Sequence, residues 1–346
     1  MPQHWTSERD AAGHRLGAGV VGLGVGEQHA RAYLDHPACD LRWIFDIDPA
    51  AAARALATLG TPLVAASFDQ MLADPRLDIV SIASFDDAHF CQVVAALDAG
   101  KHVFVEKPLC RSSAELRQIK ERWTRRPTLH LRSNLVLRGA PLYRWLRTAI
   151  GAGELGEIYA FDGDYLYGRL HKITDGWRAS VVDYSVMQGG GVHLVDLMMW
   201  LTQQRPVAVT ASGNSISTKG SAFRYHDFMA ATFQFDSGLV GRIAANFGSV
   251  HRHQHVVRVF GTLATFIHDD QGARLHTSRD PLVPARPVDF APLPPSKGAL
   301  IPEFVASVLA AVDGSSEMQQ ECDLISACLA ADCASATGTR QRVDYV

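Results

Sequence analysis

In the first third of the chain, short continuous apolar runs alternate with stretches of helical period. The runs GAGVVGL, LRWIFDID, DIVSIAS and HVFVEKPL have the length and β-branched content of buried strands. A helical pattern follows each run: HARAYLDH, PAAAARALATLG, HFCQVVAALDAG and a segment from about Ser112 to Trp123. Gly60 and Gly100 mark the ends of two of these helices. Repeated strand–helix units predict a parallel, doubly wound sheet.

Beyond residue 130 the strands alternate clearly between apolar and polar positions. A helix, PLYRWLRTAIGAG, precedes the strands EIYAFDGDYLYG, VAVTASGNSI, FMAATFQF, LVGRIAANFG, HVVRVFG and LATFIHD. Hairpin-like turns at 236–238 and 261–262 connect neighbouring strands, and the glycine-led helix GGGVHLVDLMMWL interrupts them. Two helices, EFVASVLAAV and DLISACLAADCASA, end the chain. This pattern predicts an α+β domain with a large, mostly antiparallel open sheet.

The 346 residues are enough for two domains. We predict an α/β protein with a flexible tail at residues 1–15, a doubly wound nucleotide-binding domain at 16–130 and the α+β domain at 131–346. The tail has no hydrophobic segment of the kind found in signal peptides.

Composition narrows the classes of partner. The net charge of −3 argues against nucleic acid and anionic membranes, and no apolar run approaches the roughly 18 residues that span a bilayer. Six cysteines without a CxxC pair predict reduced thiols and a cytoplasmic protein. Cys328 and Cys333 lie in an alanine-rich helical stretch and are predicted to be small core residues.

The segment GLGVGEQH, residues 22–29, predicts a dinucleotide site between the first strand and the first helix. Gly22, Gly24 and Gly26 would let the backbone approach a pyrophosphate at the helix N-terminus. Asp46 follows at the end of the next strand, where a carboxylate accepts ribose hydroxyls and repels a 2′-phosphate. We therefore expect NAD, with NADP possible. The alternative is a glycine-rich turn without nucleotide.

One position departs from the dinucleotide motif. The usual third glycine falls at position 27, but this chain has Glu27 there and Gly26 one place early. A carboxylate beside a pyrophosphate is unfavourable unless it points away.

Several motifs together carry a resemblance to a known family. They are GLGVGEQHARAY, FDIDP, DIVSIASFDDAH, AGKHVFVEKPL, GELGEIY, GGGVHLVDLMMWL and FGTLAT. The chain resembles the glucose-fructose oxidoreductase / inositol dehydrogenase / MocA (Gfo/Idh/MocA) family along most of its length. The resemblance implies a Rossmann domain, a second domain whose open sheet forms oligomer contacts, and NAD(P)-dependent dehydrogenation of sugars or cyclitols.

The resemblance also assigns roles to VFVEKPL. It implies that Lys107 holds the substrate hydroxyl being oxidised, that the following peptide bond is cis, and that Glu106 shapes the nicotinamide pocket. The predicted cofactor contacts are Gly22, Gly24, Val25, Gly26, Asp46, Ser84, His89, Glu106 and Lys107. The alternative for Lys107 is a solvated side chain at a strand end.

His193 is the second predicted catalytic residue. It shares a helix face with Asp196, three residues on, and an imidazole of ordinary pKa, about 6.5, suits proton removal from an alcohol. A single histidine is more often a core residue, but the family's HxxD pattern favours catalysis here. Many members carry Asp four residues earlier, where this chain has Gly189. An orienting carboxylate must come from elsewhere, such as Asp183, or be absent.

A small polyhydroxylated substrate needs hydrogen-bonding side chains and an apolar ring face. The segment 165–184 offers these, and the predicted substrate contacts are Tyr167, His171, Arg178, Asp183 and Asp196. Arg169, Lys172 and Arg178 together suit a carboxylate or phosphate. The alternative is an ordinary charged loop.

His251, His253 and His255 alternate and would share one strand face, a spacing that can bind metal. Without nearby Cys or carboxylate ligands, we predict no metal. Apolar positions such as Phe233, Phe235 and Ile243 are expected on a face that one chain leaves uncovered, which predicts a homodimer or homotetramer. A keto-sugar reductase and a non-catalytic dinucleotide sensor remain alternatives to the dehydrogenase.

Overall fold

The computed structural model describes residues 15–60 and 62–346. These residues form two compact units, which we describe separately. The predicted tail at residues 1–15 lies outside the described residues except for Arg15. No helix in the described residues is long and apolar enough to cross a membrane.

The first unit comprises residues 15–106, 118–134 and 295–318 and contains a six-stranded parallel sheet in the order β3-β2-β1-β4-β5-β6. Its strands are β1 Leu16–Val21, β2 Cys39–Phe45, β3 Leu63–Val64, β4 Ile79–Ile82, β5 His102–Val105 and β6 Leu131–Ser133. The helices between the strands are α1 Gly26–Leu34, α2 Pro49–Leu59, α3 Phe68–Leu72, α4 His89–Asp98 and α5 Ser113–Thr124, of which α5 belongs to this unit only from residue 118 onwards. The doubly wound prediction is confirmed, although β3, α3 and β6 were missed because they are short or lack a clear pattern.

Local sequence explains where these elements begin and end. Asp48 caps α2 by accepting the N–H of Ala50 at 2.9 Å, and Pro49 occupies the first helical turn. Gly60 then ends α2 in the left-handed conformation, with φ 76°. Strands β1, β4 and β5 are buried at every position, as expected for a sheet covered on both faces.

The helix α9, Ile301–Leu309, belongs to the first unit, although it was predicted in the second domain. Phe304 of α9 lies 5.4 Å from Phe104 between ring centroids, within the same hydrophobic core. Residues 107–117 conversely belong to the second unit. A single domain boundary near residue 130 does not describe these two segments, each of which belongs to the other unit. The sequence did not reveal this, because an amphipathic helix does not specify which sheet it covers.

The second unit contains a nine-stranded sheet in the order β14-β13-β12-β11-β7-β10-β9-β8-β15. Its strands are β7 Ile158–Leu166, β8 Ala208–Asn214, β9 Phe228–Gln234, β10 Val240–Asn246, β11 Gln254–Gly261, β12 Thr265–Asp269, β13 Gly272–His276, β14 Arg286–Pro287 and β15 Gln341–Arg342. Among the described strands of this second sheet, only β7 and β10 pair in parallel. The prediction of a mostly antiparallel sheet is confirmed; β13, β14 and β15 were missed.

Helices cover one face of this sheet. They are α6 Pro141–Gly151, α7 His171–Thr174, α8 Val192–Thr202 and most of α10 Ser315–Thr337. The helix α8 packs directly on β7 and β10. Phe233, Phe235 and Ile243 lie in this core, so the expectation that they face outward was wrong: alternation reveals two faces but not which one the helices cover.

The opposite face carries paired charges. Arg258 donates to Asp162 at 2.8 Å, and Arg242 pairs with both Asp162 and Asp164. These four side chains come from β7, β10 and β11, which are adjacent in the sheet. The charges of these four side chains on the open face are therefore balanced.

The cysteines are all free thiols, and four of the six are buried. Cys328 is in the core as predicted, but Cys333 is exposed. The two lie five residues apart on α10, so they do not face the same side of the helix.

Candidate active site

The glycine-rich segment after β1 forms a tight turn at the carboxyl end of the parallel sheet. Gly22 has φ 81°, a conformation that residues with a Cβ rarely adopt, and a Cβ there would overlap the backbone of Ala83. A Cβ on Gly24 would meet no described atom within 4 Å, which leaves space beside the start of α1. Val25, just before α1, is exposed. This geometry suits a phosphate group bound at a helix N-terminus.

The early glycine serves the function expected of the third one. A Cβ on Gly26 would lie 3.0 Å from Val20 Cγ1 and 3.1 Å from Ala83 Cβ, so glycine allows α1 to approach the sheet. The Glu27 carboxylate accepts a hydrogen bond from Thr58 Oγ1 of α2 at 2.8 Å. The neighbouring helix thus holds the Glu27 carboxylate, which answers the concern that its negative charge would face a bound pyrophosphate.

Asp46 connects the end of β2 to the glycine turn. Its Oδ2 accepts the N–H of Leu23 at 2.7 Å, and its Oδ1 accepts the N–H of Asp48 at 2.8 Å. Each carboxylate oxygen has a second lone pair for a ribose hydroxyl. Asp48 is occupied as the cap of α2, so Asp46 is the better candidate of the two.

Three further cofactor candidates follow the neighbouring strands β4 and β5. His89 is fully buried and its Nε2 lies 3.2 Å from the Ser84 carbonyl, while Ser84 Oγ donates to Gln92 Oε1 at 2.6 Å. Glu106 directly follows β5. The structure therefore brings the predicted cofactor contacts of the first unit to one edge of the sheet, where ligands of open α/β sheets bind.

A buried polar network holds Glu106, and the sequence did not reveal it. Asn134 Nδ2 donates to Glu106 Oε1 at 2.7 Å, and His29 Nε2 lies 3.4 Å from the same oxygen. The other ring nitrogen of His29 lies 2.9 Å from Ser81 Oγ. The helical pattern of GEQHARAY indicates only that His29 faces inward, because its partners come from β4, β5 and the end of β6.

Lys107 is half-buried, and the peptide bond to Pro108 is cis, as the resemblance implied. The Lys107 ammonium donates to the carbonyl oxygen of Gly189 at 3.1 Å. This contact joins two segments of the second unit that are 82 residues apart in the chain. The lysine at this strand end is therefore bonded within the second unit and is not fully solvated.

The glycine run that contacts Lys107 leads directly into the helix that carries His193. Residues Met187–Gly191 form a π-helical turn, and α8 begins at Val192. His193 is 6% exposed, and its ring stacks on Tyr165 with 6.2 Å between centroids. Such π-turns are frequent at functional sites. Lys107 is thus anchored one helical turn before His193.

An aromatic cluster surrounds His193. The ring of His255 lies 5.8 Å from His193 and 5.2 Å from Tyr165, and His253 lies 5.1 Å from His255. Tyr167 and Phe247 complete the cluster, with 4.5 Å between their centroids. His253 and His255 were not predicted as site residues, although they stood out in the sequence as alternating histidines.

The three alternating histidines do not share a strand face as predicted. β11 begins at Gln254, so only His255 lies on it, and the exposed region before it holds His251 paired with Asp270 at 2.9 Å. Within residues 15–60 and 62–346, no group of three or more potential ligands is placed to hold a metal ion. The absence of a metal stays a prediction.

Two predicted substrate contacts lie at the aromatic cluster. Tyr167 belongs to it, and Arg178 Nε donates at 3.0 Å to the hydroxyl of Tyr184, whose ring lies 6.3 Å from Phe247 of the cluster. His171 and Asp183 are exposed on the segment that precedes the π-turn. Tyr167 and Arg178 therefore adjoin the aromatic cluster that surrounds His193, whereas His171 and Asp183 are exposed.

Asp196 is buried and paired within the chain. Arg138 binds its carboxylate through Nε, at 3.1 and 3.0 Å, and through Nη2 at 2.6 Å. A bidentate pair of this kind occupies much of the carboxylate's bonding capacity. The assignment of Asp196 as a substrate contact therefore rests on the HxxD pattern alone.

Comparison with known protein families shows the family to which the chain belongs. The model of an oxidoreductase family with an NAD-binding Rossmann fold, Gfo/Idh/MocA, matches residues 16–131. The model of the Gfo/Idh/MocA C-terminal domain matches residues 143–267. Together the two matches cover more than half of the chain. The chain belongs to the Gfo/Idh/MocA family.

Relatives within the Gfo/Idh/MocA family are distant. A 1,5-anhydro-D-fructose reductase from Ensifer adhaerens is 28% identical over 51% of this chain and 52% of its own length. A scyllo-inositol 2-dehydrogenase (NAD(+)) from Bacillus subtilis is 26% identical over 72% of each chain. The matched region thus spans only about half the length of the first of these curated relatives.

The fold of a solved Gfo/Idh/MocA structure agrees with this one. Scyllo-inositol dehydrogenase from Lactobacillus casei, with bound NAD(H) and scyllo-inositol, gives a TM-score of 0.74. The match covers 95% of this chain and 99% of the other at 20% identity. At that identity the likeness supports the fold.

In this Gfo/Idh/MocA protein, a carboxyl group from α10 supports the π-turn. Ser185 Oγ donates to Asp332 Oδ1 at 2.6 Å, and Gln188 Nε2 donates to Asp332 Oδ2 at 2.7 Å. The residue is partly exposed, but its carboxyl group is enclosed, and this burial raises the pKa of Asp332 to about 6 from 3.8, against the opposing effect of the two hydrogen bonds.

The raised pKa predicts how Asp332→Asn changes stability. The folded state binds more protons than the unfolded state between pH 3.8 and about 6, so stability present at low pH is lost as pH rises through 6. The asparagine side chain does not titrate, so the variant lacks this pH-dependent loss of stability. The buried Oε1 of Gln188 can turn to accept a hydrogen bond from the new amide N–H. The free energy of unfolding of the variant, relative to that of the wild type, is expected to rise by about 1 kcal/mol from pH 5 to pH 8, as measured by urea unfolding. Asp236→Asn, at an exposed turn, is the control; a gain independent of pH would contradict the prediction.

Proposed function

We propose that this protein is an NAD-dependent dehydrogenase of a secondary alcohol on a sugar, cyclitol or sugar derivative. The observation that carries the proposal is the hydrogen bond from Lys107 to Gly189, because it anchors the ammonium one turn before His193. The glycine turn and Asp46 support NAD as the cofactor. The relatives named as reductases and inositol dehydrogenases support the substrate class.

The proposed chemistry divides between cofactor and protein. Bound NAD would accept a hydride from the carbon that carries the hydroxyl group. Lys107 would donate a hydrogen bond to the reacting oxygen and stabilise the negative charge that develops on it. His193 would take the hydroxyl proton as general base.

The same groups also serve the reverse reaction. In a keto-sugar reductase, His193 would return a proton to the oxygen while the carbon accepts hydride from the reduced cofactor. The pairing of Lys107 with the π-turn speaks against a sensor without chemistry, since nucleotide binding does not need it.

A substrate panel tests the proposal. Sugars, cyclitols and sugar acids are each offered with NAD and with NADP, and reduced nicotinamide is followed by its absorbance; keto-sugars are offered with the reduced cofactors. We expect turnover with a polyhydroxylated substrate and a preference for NAD. Tight NAD binding without turnover of any compound in either direction would favour the sensor.

Asp46 is expected to determine nucleotide affinity. Asp46→Ala removes hydrogen bonds to the N–H groups of Leu23 and Asp48, as well as the acceptor for the ribose. Loss of charge-assisted hydrogen bonds of about 1.5–3 kcal/mol predicts roughly 10- to 100-fold weaker NAD binding and a smaller preference over NADP. Calorimetric titration measures both affinities, and Asp35→Ala, on the exposed end of α1, is the control. Unchanged NAD affinity would remove Asp46 from the site.

We further propose that the protein forms a homodimer or homotetramer through the open face of the nine-stranded sheet. The paired charges of Arg242, Arg258, Asp162 and Asp164 can exchange partners across such a contact. Sedimentation is expected to show a species of at least twice 37.7 kDa. Arg258→Glu should shift it towards monomer because it places three acidic groups together; a monomer for the wild type would refute the proposal.

A further inference from the structure

Gly189 lacks the side chain that many family members use, and a tyrosine occupies the space. A Cβ built on Gly189 would overlap the hydroxyl oxygen of Tyr184 and lie 2.8 Å from its Cζ atom. No side chain fits at residue 189 while Tyr184 keeps this position. Asp183, which the sequence offered as one source of an orienting carboxylate, is exposed.

The Tyr184 side chain is held in place from several sides. It is 5% exposed, and its ring packs edge-on against Phe223 and Phe247, at 5.7 and 6.3 Å between centroids. Its hydroxyl accepts a hydrogen bond from Arg178 Nε at 3.0 Å. The guanidinium of Arg178 in turn lies 4.2 Å from the Trp177 ring centroid. Tyr184 is therefore a rigid group and not a mobile surface ring.

The backbone before Tyr184 is shaped to present it. Asp183 has φ 54°, in the left-handed region that non-glycine residues seldom adopt. Its N–H donates to the Tyr225 hydroxyl at 2.7 Å, which stabilises this conformation. Strain of this kind persists where the surrounding structure requires it, often at functional sites.

Tyr184 contacts the residue that anchors Lys107. The Gly189 carbonyl accepts the Lys107 ammonium at 3.1 Å, and the Cα of Gly189 lies against the Tyr184 hydroxyl. We propose that Tyr184, oriented by Arg178, is a positioning residue that fixes the π-turn at Gly189 and thereby places Lys107 for catalysis. This inference rests on the proposed function of Lys107. Tyr184 acts through Lys107, in place of a side chain at residue 189.

The first test measures the steric exclusion and needs no activity. Gly189→Ala is expected to lower Tm by several degrees in the wild type, because its Cβ overlaps the Tyr184 hydroxyl. In a Tyr184→Ala background the same substitution should cost little further stability, since the obstacle is gone. Equal losses in both backgrounds would show that Tyr184 does not exclude a side chain at residue 189.

The second test asks whether Tyr184 acts through Lys107. Tyr184→Phe keeps the ring but removes the hydroxyl that lies at Gly189 and accepts from Arg178 Nε. A resulting displacement of Gly189 by about 1 Å predicts a fall in kcat of up to about 100-fold. NAD affinity, measured by titration, should stay unchanged. In a Lys107→Met background, Tyr184→Phe should have no further effect on the residual turnover, because the group it positions is absent.

The outcomes separate this inference from the function it rests on. If the losses in kcat from Lys107→Met and Tyr184→Phe multiply in the double variant, Tyr184 has a general structural role and the inference is overturned. A wild-type kcat in Tyr184→Phe would overturn it as well. Full turnover in Lys107→Met alone would instead overturn the proposed role of Lys107, while the stability cycle at residue 189 would still report on the exclusion. Tyr225→Phe, which loosens the turn at Asp183, should reproduce a smaller part of the kcat loss.

Discussion

Replacing Lys107 with methionine is expected to lower kcat by roughly 1,000-fold while leaving NAD affinity within about twofold. Methionine keeps an unbranched stem of similar size but removes the ammonium that donates to Gly189. A donor directed at the oxygen where charge develops contributes about 100- to 1,000-fold to kcat, and proton transfer adds to this. Initial rates on the substrate found in the panel give kcat, and calorimetric titration gives NAD affinity.

Lys219→Met is the matched control because Lys219 is an exposed lysine of the second unit. It should keep wild-type turnover. A Lys107→Met enzyme with turnover within a few-fold of wild type would eliminate Lys107 as a catalytic residue. Loss of NAD affinity together with kcat would assign it to cofactor binding instead.

Replacing His193 with asparagine is expected to lower kcat by about 100- to 10,000-fold, the usual contribution of a general base. Asparagine retains hydrogen-bonding capacity but does not titrate. The wild-type kcat/KM should therefore fall at low pH with an apparent pKa in the range of a histidine, and this acidic limb should disappear in the variant. Rates measured across pH 5 to 9 test both statements.

The control for His193 is His276→Asn on β13, a histidine of the same unit. Its pH profile should match that of the wild type. If His193→Asn loses activity but keeps the acidic limb, the titrating base is another group. His255 would then be the next candidate, since its ring lies 5.8 Å from His193.

The two variants also test each other. If Lys107 and His193 act on the same hydroxyl group, the double variant should lose little more than the more damaging single variant, because residues that act as a unit are not additive. Strictly multiplicative losses would indicate that the two side chains serve separate steps.

Local patterns determined most of the parallel sheet and the cofactor edge. The strand–helix alternation, the glycine turn and the carboxylate after β2 each depend on residues close together in sequence, so spacing alone led to the prediction of Gly22, Gly26 and Asp46 as cofactor contacts. The contact that holds the Glu27 carboxylate could not be predicted from spacing, because its partner, Thr58, comes from the next helix. The cis bond before Pro108 followed from the family resemblance and agrees with the structure.

The amino-acid sequence by itself predicted the fold class from hydrophobic period and the family from short motifs. The same motifs singled out Lys107 and His193 as candidate catalytic residues. Only the tertiary structure decided what surrounds them: the bond from Lys107 to Gly189, the His253–His255 side of the aromatic cluster, and Tyr184 in the space of a missing side chain. These contacts join segments far apart in the chain. Periodicity specifies which face of an element is buried but not which distant side chain meets it there.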